Sequence, residues 1–179
     1  LDDGYLITGF TSSFGNGGKD LWIIKTDKDR KKVWDRFYGG MYMETGLKSI
    51  KADKNGFIVL AQTHSYGSGS GDIWVVKIDS LGNIIWDKTY GNENLDIASD
   101  ISTSNENGFI ITGTTVSKKT NSIDGYVMKI DTIGNVIWSQ IYGGLDIDGI
   151  SSVSKINDEY GYMLLGYTKS YMLDNSRRK

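Results

Sequence analysis

The sequence predicts an all-β fold built from repeated units. Three observations carry that prediction. Large aromatic residues recur at a fixed 52-residue step, apolar residues between them follow the two-residue period of strands, and Gly, Asn, Asp and Ser punctuate the chain at hairpin spacing.

The step is 52 residues for Trp34, Trp86 and Trp138, and again for Trp22, Trp74 and Tyr126. It holds for Lys25, Lys77 and Lys129, for Asp27, Asp79 and Asp131, and for Asp20, Asp72 and Asp124. Tyr38, Tyr90 and Tyr142 keep it too, each followed by Gly39, Gly91 or Gly143. Gly4, Gly56, Gly108 and Gly161 open the units, the last slipped by one residue, so the repeats are 4–55, 56–107, 108–160 and the start of a fourth, 161–179.

The third unit shows how each is built. Gly108-Phe-Ile-Ile-Thr-Gly-Thr-Thr115 is β-branched and aromatic, Gly125 to Asp131 alternates after a turn, and Asn135 to Tyr142 is a third strand. Ile147 to Ser154 is a weaker fourth that leads into the next unit, and no segment carries a useful helical stripe. Four short strands in about 50 residues are the size of one β-propeller blade, so the fold class expected is blades of four antiparallel strands in one partial propeller over 1–179.

The joints have a mechanism. Asp79-Ser-Leu-Gly82-Asn83 and Asp131-Thr-Ile-Gly134-Asn135 place Gly where a short hairpin needs positive φ and Asp where it folds back on the backbone. Asn55-Gly56 and Asn107-Gly108 signal the other hairpin. The first unit has Arg30 where the others have Gly, so either that loop differs or Arg30 is strained. With 23 Gly and no Pro, every turn rests on Gly, Asn, Asp and Ser.

Bulk properties exclude more than they select. A net charge of −2 gives no electrostatic footprint for nucleic acid, and no apolar run suggests a membrane span. The absence of Cys removes disulfides and thiolate metal sites. Four blades are the usual minimum for a closed ring, and four 52-residue units need more than 179 residues. The partners expected are therefore the chain itself, with a second copy completing a ring, or the remainder of a longer chain. A small irregular closure is the remaining route.

The segments Gly-Phe-Ile-Ile-Thr-Gly-Thr-Thr, Asp-Gly-Tyr-Val-Met-Lys-Ile-Asp, Gly-Asn-Val-Ile-Trp and Tyr-Gly-Gly resemble the seven-bladed β-propeller-type repeats of bacterial and archaeal secreted and cell-surface proteins. The resemblance covers residues 4 to about 169 and implies an extracellular or cell-surface setting, with no shared catalytic residues. It also implies that the strand before each Gly-Phe strand is innermost and the Trp strand outermost, with blade boundaries near residues 41, 93 and 145. Three related motifs are near misses. The quinoprotein docking motif wants Asp and Trp eight apart, whereas Asp79 and Trp86 are seven apart. Sialidase Asp-boxes want Trp three after Gly, whereas Gly82 to Trp86 is four. Kelch blades place the Gly pair before the Trp, whereas Gly39-Gly40 follows it.

Trp22, Trp74, Tyr126, Trp34, Trp86 and Trp138 read as rings packed between blades. Asp20, Asp72 and Asp124 read as turn carboxylates satisfying backbone donors. The ligand or ion candidates are Glu44, Asp96 and Asp148, stepping by 52 just before the innermost strand, with Asp100 nearby; their plainer reading is a solvated loop. His64 is the only His and sits beside the Gly-rich connector Tyr66 to Gly71, so neither a His-based metal site nor a Ser/His/Asp arrangement is evident. No cofactor or catalytic residue is expected. An enzyme would gather unlike polar groups at the axis, whereas the sequence repeats like ones. The function expected is a non-enzymatic binding or structural module. The alternatives are a fragment of a quinone- or glycan-directed propeller enzyme, or a self-assembling surface filament.

Overall fold

A computed structural model describes residues 4–53, 56–104, 107–118, 121–156 and 161–170. Among them are thirteen strands and no helix. The first sheet holds β1 (Leu6–Thr11), β2 (Asp20–Thr26) and β3 (Lys32–Tyr38) in sequential order. The second holds β4 (Glu44–Asp53), β5 (Gly56–Thr63), β6 (Asp72–Asp79) and β7 (Ile84–Tyr90). The third holds β8 (Ile97–Thr103), β9 (Phe109–Val116), β10 (Ile123–Ile130) and β11 (Val136–Tyr142). The fourth pairs β12 (Asp148–Lys155) with β13 (Tyr162–Thr168). Every ladder is antiparallel. The strand before each Gly-Phe strand lies at one edge of its sheet, and the Trp strand at the other.

Consecutive sheets pack face to face, because strands buried on both sides carry apolar residues at successive positions. In β5, Ile58 and Leu60 join the core shared with the third sheet, beside Ile111, Met128 and Ile130. Val59 and Ala61, pointing the other way, meet Leu21 and Ile23 of the first sheet. Ile110 and Val127 meet Ile150 and Val153 of the fourth. Each fully buried side chain of this size contributes about 1.5–3 kcal/mol, so the three inter-sheet layers are the main cohesion of the molecule. Short parallel bridges, Lys19 to Met43 and Gly71 to Leu95, tie the first two sheets to the connections entering the second and third.

The hairpins settle the Arg30 alternative. Gly82 and Gly134 have φ of 84° and 80°, and Arg30 adopts the same left-handed conformation at 66°. Its amide donates to Asp27 O at 3.1 Å, as Gly82 and Gly134 donate to Asp79 O and Asp131 O at 3.2 Å. The loop is the same and the side chain is strained. Asn107 and Gly108 both have positive φ, as their hairpin signal requires, whereas Asn55 lies outside the described residues.

The repeat extends to irregularities. The first strand of each of the last three sheets is bulged at the same place, between Gly46 and Lys48, between Ala98 and Asp100, and between Ile150 and Ser152. A bulge inserts one unpaired residue and re-aims its neighbours. Here the residue after each bulge faces the adjoining sheet.

Candidate functional site

The residues after the three bulges are Lys48, Asp100 and Ser152, again 52 apart, and they touch. Lys48 Nζ donates to Asp100 Oδ1 at 2.7 Å, and Ser152 Oγ donates to Asp100 Oδ2 at 2.8 Å. The amides of Val153 and Ile101 donate to the same carboxylate at 3.0 and 2.8 Å. Burial pushes the Asp100 carboxyl up, but the Lys48 ammonium, the Val153 amide and the Ser152 hydroxyl outweigh it, and the group lies below the ordinary carboxylate range. Equivalent positions therefore hold unlike polar groups in contact, where the sequence suggested repetition of like ones. Asp100 is spent on four donors and is no free base.

A second polar layer sits where each connection enters the next sheet. Glu44, Asp96 and Asp148 are buried, which overturns the solvated-loop reading. Glu44 Oε2 accepts the Gly40 amide at 2.8 Å, while its Oε1 accepts the Thr63 hydroxyl at 3.0 Å and the Ser65 amide at 3.2 Å. Asp96 Oδ2 accepts the Asn92 amide at 2.7 Å, and Asp148 Oδ2 accepts the Gly144 amide at 2.8 Å. Carboxylates five residues after the Gly of the Tyr-Gly pair thus fold back to hold the connection. Asp20, Asp72 and Asp124 are buried too. Asp20 Oδ2 accepts the Asn16 amide at 3.1 Å, Asp72 Oδ2 the Ser68 amide at 3.0 Å, and Asp124 Oδ1 the Ser122 hydroxyl at 2.9 Å.

The two carboxylates of each junction close on one glycine. A methyl on Gly39 would stand 2.2 Å from Asp20 Oδ1 and 2.4 Å from Glu44 Oε2; on Gly91, 2.2 Å from Asp72 Oδ1 and 2.7 Å from Asp96 Oδ2; on Gly143, 2.4 Å from Asp124 Oδ1 and 2.8 Å from Asp148 Oδ2. This explains the Gly of every Tyr-Gly pair. Burial and the neighbouring Asp96 charge raise the Asp72 carboxyl against the Ser68 amide, whereas the Thr168 and Ser170 hydroxyls and nearby amides overcome burial to hold Asp148 at about 2. No protein-family model matches the chain, and no curated protein matches it. The geometry carries the functional argument by itself. Two carboxylates per junction fall short of the six to eight oxygens of a hard-cation site, and among the described residues no three His, Cys, Asp or Glu gather to hold a metal.

Trp34, Trp74 and Trp86 join sheets and Tyr126 packs on the shared core, whereas Trp22 stacks within its own sheet and Trp138 is exposed. Trp34 Nε1 donates to Ser80 O at 3.1 Å and Trp86 Nε1 to Thr132 O at 3.3 Å, each reaching the hairpin of the following sheet. Tyr38 and Tyr90 donate their hydroxyls to Gly82 O and Gly134 O of the same hairpins. Trp74 is buried with Nε1 on Asp87 Oδ2 at 3.0 Å, Trp22 stacks on Phe37, and Tyr126 packs on the central core. Trp138 departs from the expected packing: on β11 it is exposed, since no described hairpin of the fourth sheet lies against it. His64 and the Tyr66–Gly71 connector are tied to the preceding junction, the His64 amide donating to Met43 O at 3.0 Å and the Ser65 amide to Glu44 Oε1. Sequence reasoning missed the carboxylate pairs although a signal existed, a Gly at 39, 91 and 143 recurring in step with both sets of carboxylates. It had no signal for Lys48, because Lys, Asp and Ser at one repeat position look unrelated.

Proposed function

We propose that the chain is an arc of a β-propeller acting as a non-enzymatic binding or structural scaffold, completed by further sheets of its own kind. One observation carries the reading: residues one repeat apart on β4, β8 and β12 touch through Lys48, Asp100 and Ser152. Strands that converge at one sheet edge while the Trp strands stand apart fan about a common axis, as blades do. The setting outside the cell rests on the resemblance to secreted and surface repeat proteins alone. The enzyme reading is weaker, because the polar groups that converge are consumed by one another. No described helix is long and apolar enough to cross a membrane.

The end sheets supply the partner argument. Ile7 is 49% exposed where its repeat equivalents Val59 and Ile111 are fully buried, and Met163 and Leu165 are each 66% exposed where Ile58 and Leu60 are fully buried. The preceding-facing side of the first sheet and the following-facing side of the fourth are thus two halves of an interface the molecule already makes three times. A sheet of the same kind covers them, from a second copy or from further repeats. Light scattering on the 179-residue chain tests this. The expected result is a discrete dimer, converted to monomer by Ile7→Lys or Leu165→Lys. Polymers growing with concentration would favour the filament, in which arcs join without closing. A monodisperse monomer would sink the shared ring.

A further inference from the structure

One feature breaks the repeat. A cleft of about 460 Å³ opens between the β1–β2 connection, the segment entering β4 and the β5–β6 connection, lined by Met41, Tyr42, Met43, His64 and the backbone of Gly18 and Gly69. Two of the chain's five Met and its single His lie here. Their repeat equivalents are unlike them: Glu93 and Leu145 for Met41, Leu95 and Ile147 for Met43, and Val116 for His64. The junction carboxylates and the Tyr-Gly pairs recur with the 52-residue step, and these three do not.

Hydrogen bonds hold the backbone of the cleft. Gly18 N donates to Tyr42 O and Tyr42 N to Ser65 Oγ, both at 2.9 Å, while His64 N donates to Met43 O at 3.0 Å. His64 Nδ1 stands 3.2 Å from the same carbonyl, which only accepts; the tautomer that donates from Nδ1 leaves a lone pair on Nε2. A backbone carbonyl orienting one imidazole nitrogen is the usual arrangement behind a metal-ligating His. Met41 is 80% exposed and Met43 46%, leaving both thioethers free to turn. The lining includes no carboxylate. Two thioethers and an imidazole are a soft donor set, suited to Cu(I) and not to Ca²⁺ or Mg²⁺.

We propose that this cleft binds Cu(I) through the thioether sulfurs of Met41 and Met43 and Nε2 of His64. The test uses Ag(I), a redox-inert stand-in for Cu(I), titrated into chain labelled with ¹³C at the methionine methyls. The Met41 and Met43 resonances shift and saturate at one equivalent, while Met128, buried in the core, and Met163 stay in place. Met41→Leu, Met43→Leu and His64→Gln each weaken binding at least tenfold, with the unmoved Met128 signal reporting that the variant is folded. Met172→Leu leaves binding unchanged, and Ca²⁺ shifts nothing. Cu(I), kept reduced under nitrogen, competes with a chromophoric chelator at the same stoichiometry. Affinity that survives loss of both Met41 and Met43, or shifts confined to Met163 or Met172, would overturn the assignment.

Discussion

Lys48 and Asp100 occupy the same position in consecutive repeats and form a 2.7 Å ion pair across the sheet boundary. The Lys48 side chain is 43% exposed, so solvent screens its charge, and most of the value of Asp100 lies in the Val153 and Ile101 amides and the Ser152 hydroxyl. Asp100→Ala strands these donors and should cost about 2–4 kcal/mol in urea unfolding. Asp100→Asn keeps an acceptor without the charge and should cost about 1–2 kcal/mol. Because the folded carboxyl is held below its ordinary value of 3.8, its stabilisation is complete above that pH and is lost as acidification passes the folded value. The gap between native chain and Asp100→Asn should therefore close below about pH 4.

Two isosteric substitutions in the junction layer should differ in sign. Burial and Asp96 disfavour the Asp72 charge, so Asp72→Asn, which retains an acceptor for Ser68, should leave thermal stability at pH 7 unchanged or raise it by up to about 1 kcal/mol. Asp148 is favoured as a carboxylate by the Thr168 and Ser170 hydroxyls, and Asp148→Asn should cost about 1–2 kcal/mol. The Asp148 contribution is present above 3.8 and disappears as pH falls to about 2, while protonation of Asp72 over mild acid relieves the repulsion with Asp96. Equal effects of the two variants would contradict the pairing.

Gly91→Ala forces a methyl against two buried, hydrogen-bonded carboxylates and should destabilise by about 2–3 kcal/mol. Gly9→Ala is the control: its added methyl meets nothing within 4 Å, so stability should hold or rise slightly. Denaturation midpoints of the two variants measure the difference.

Arg30→Gly should stabilise the chain by about 0.5–1 kcal/mol. Release of left-handed strain on an L side chain exceeds the entropy glycine adds to the unfolded state. Gly134→Ala should do the reverse, since φ is 80° and the new methyl would stand 3.0 Å from Trp86 Cζ3 and Tyr90 Oη. Thermal melts at pH 7 give both signs.

The strands and their grouping were legible because period-two patterning and turn chemistry act over a few residues. Tyr38, Tyr90 and their glycines announced themselves by recurrence. The Asp20, Asp72 and Asp124 turns were legible for the same reason, since the donors they satisfy are two to four residues away. The burial of Glu44, Asp96 and Asp148 was not. A charged residue before a strand looks the same in sequence whether the chain folds back over it or leaves it in water, and only the path of the connection distinguishes the two.

By itself the sequence determined an all-β chain with a 52-residue step, its hairpins, and the apolar faces that make sheets stack, because each depends on neighbours close along the chain. Tertiary structure alone decided that Lys48, Asp100 and Ser152 meet, that Trp138 is exposed while Trp34 and Trp86 reach the next hairpin, and that Met41, Met43 and His64 share one cleft. Those contacts join residues some twenty to fifty positions apart. Their partners are set by how one sheet lies on the next, a relation that no local pattern encodes.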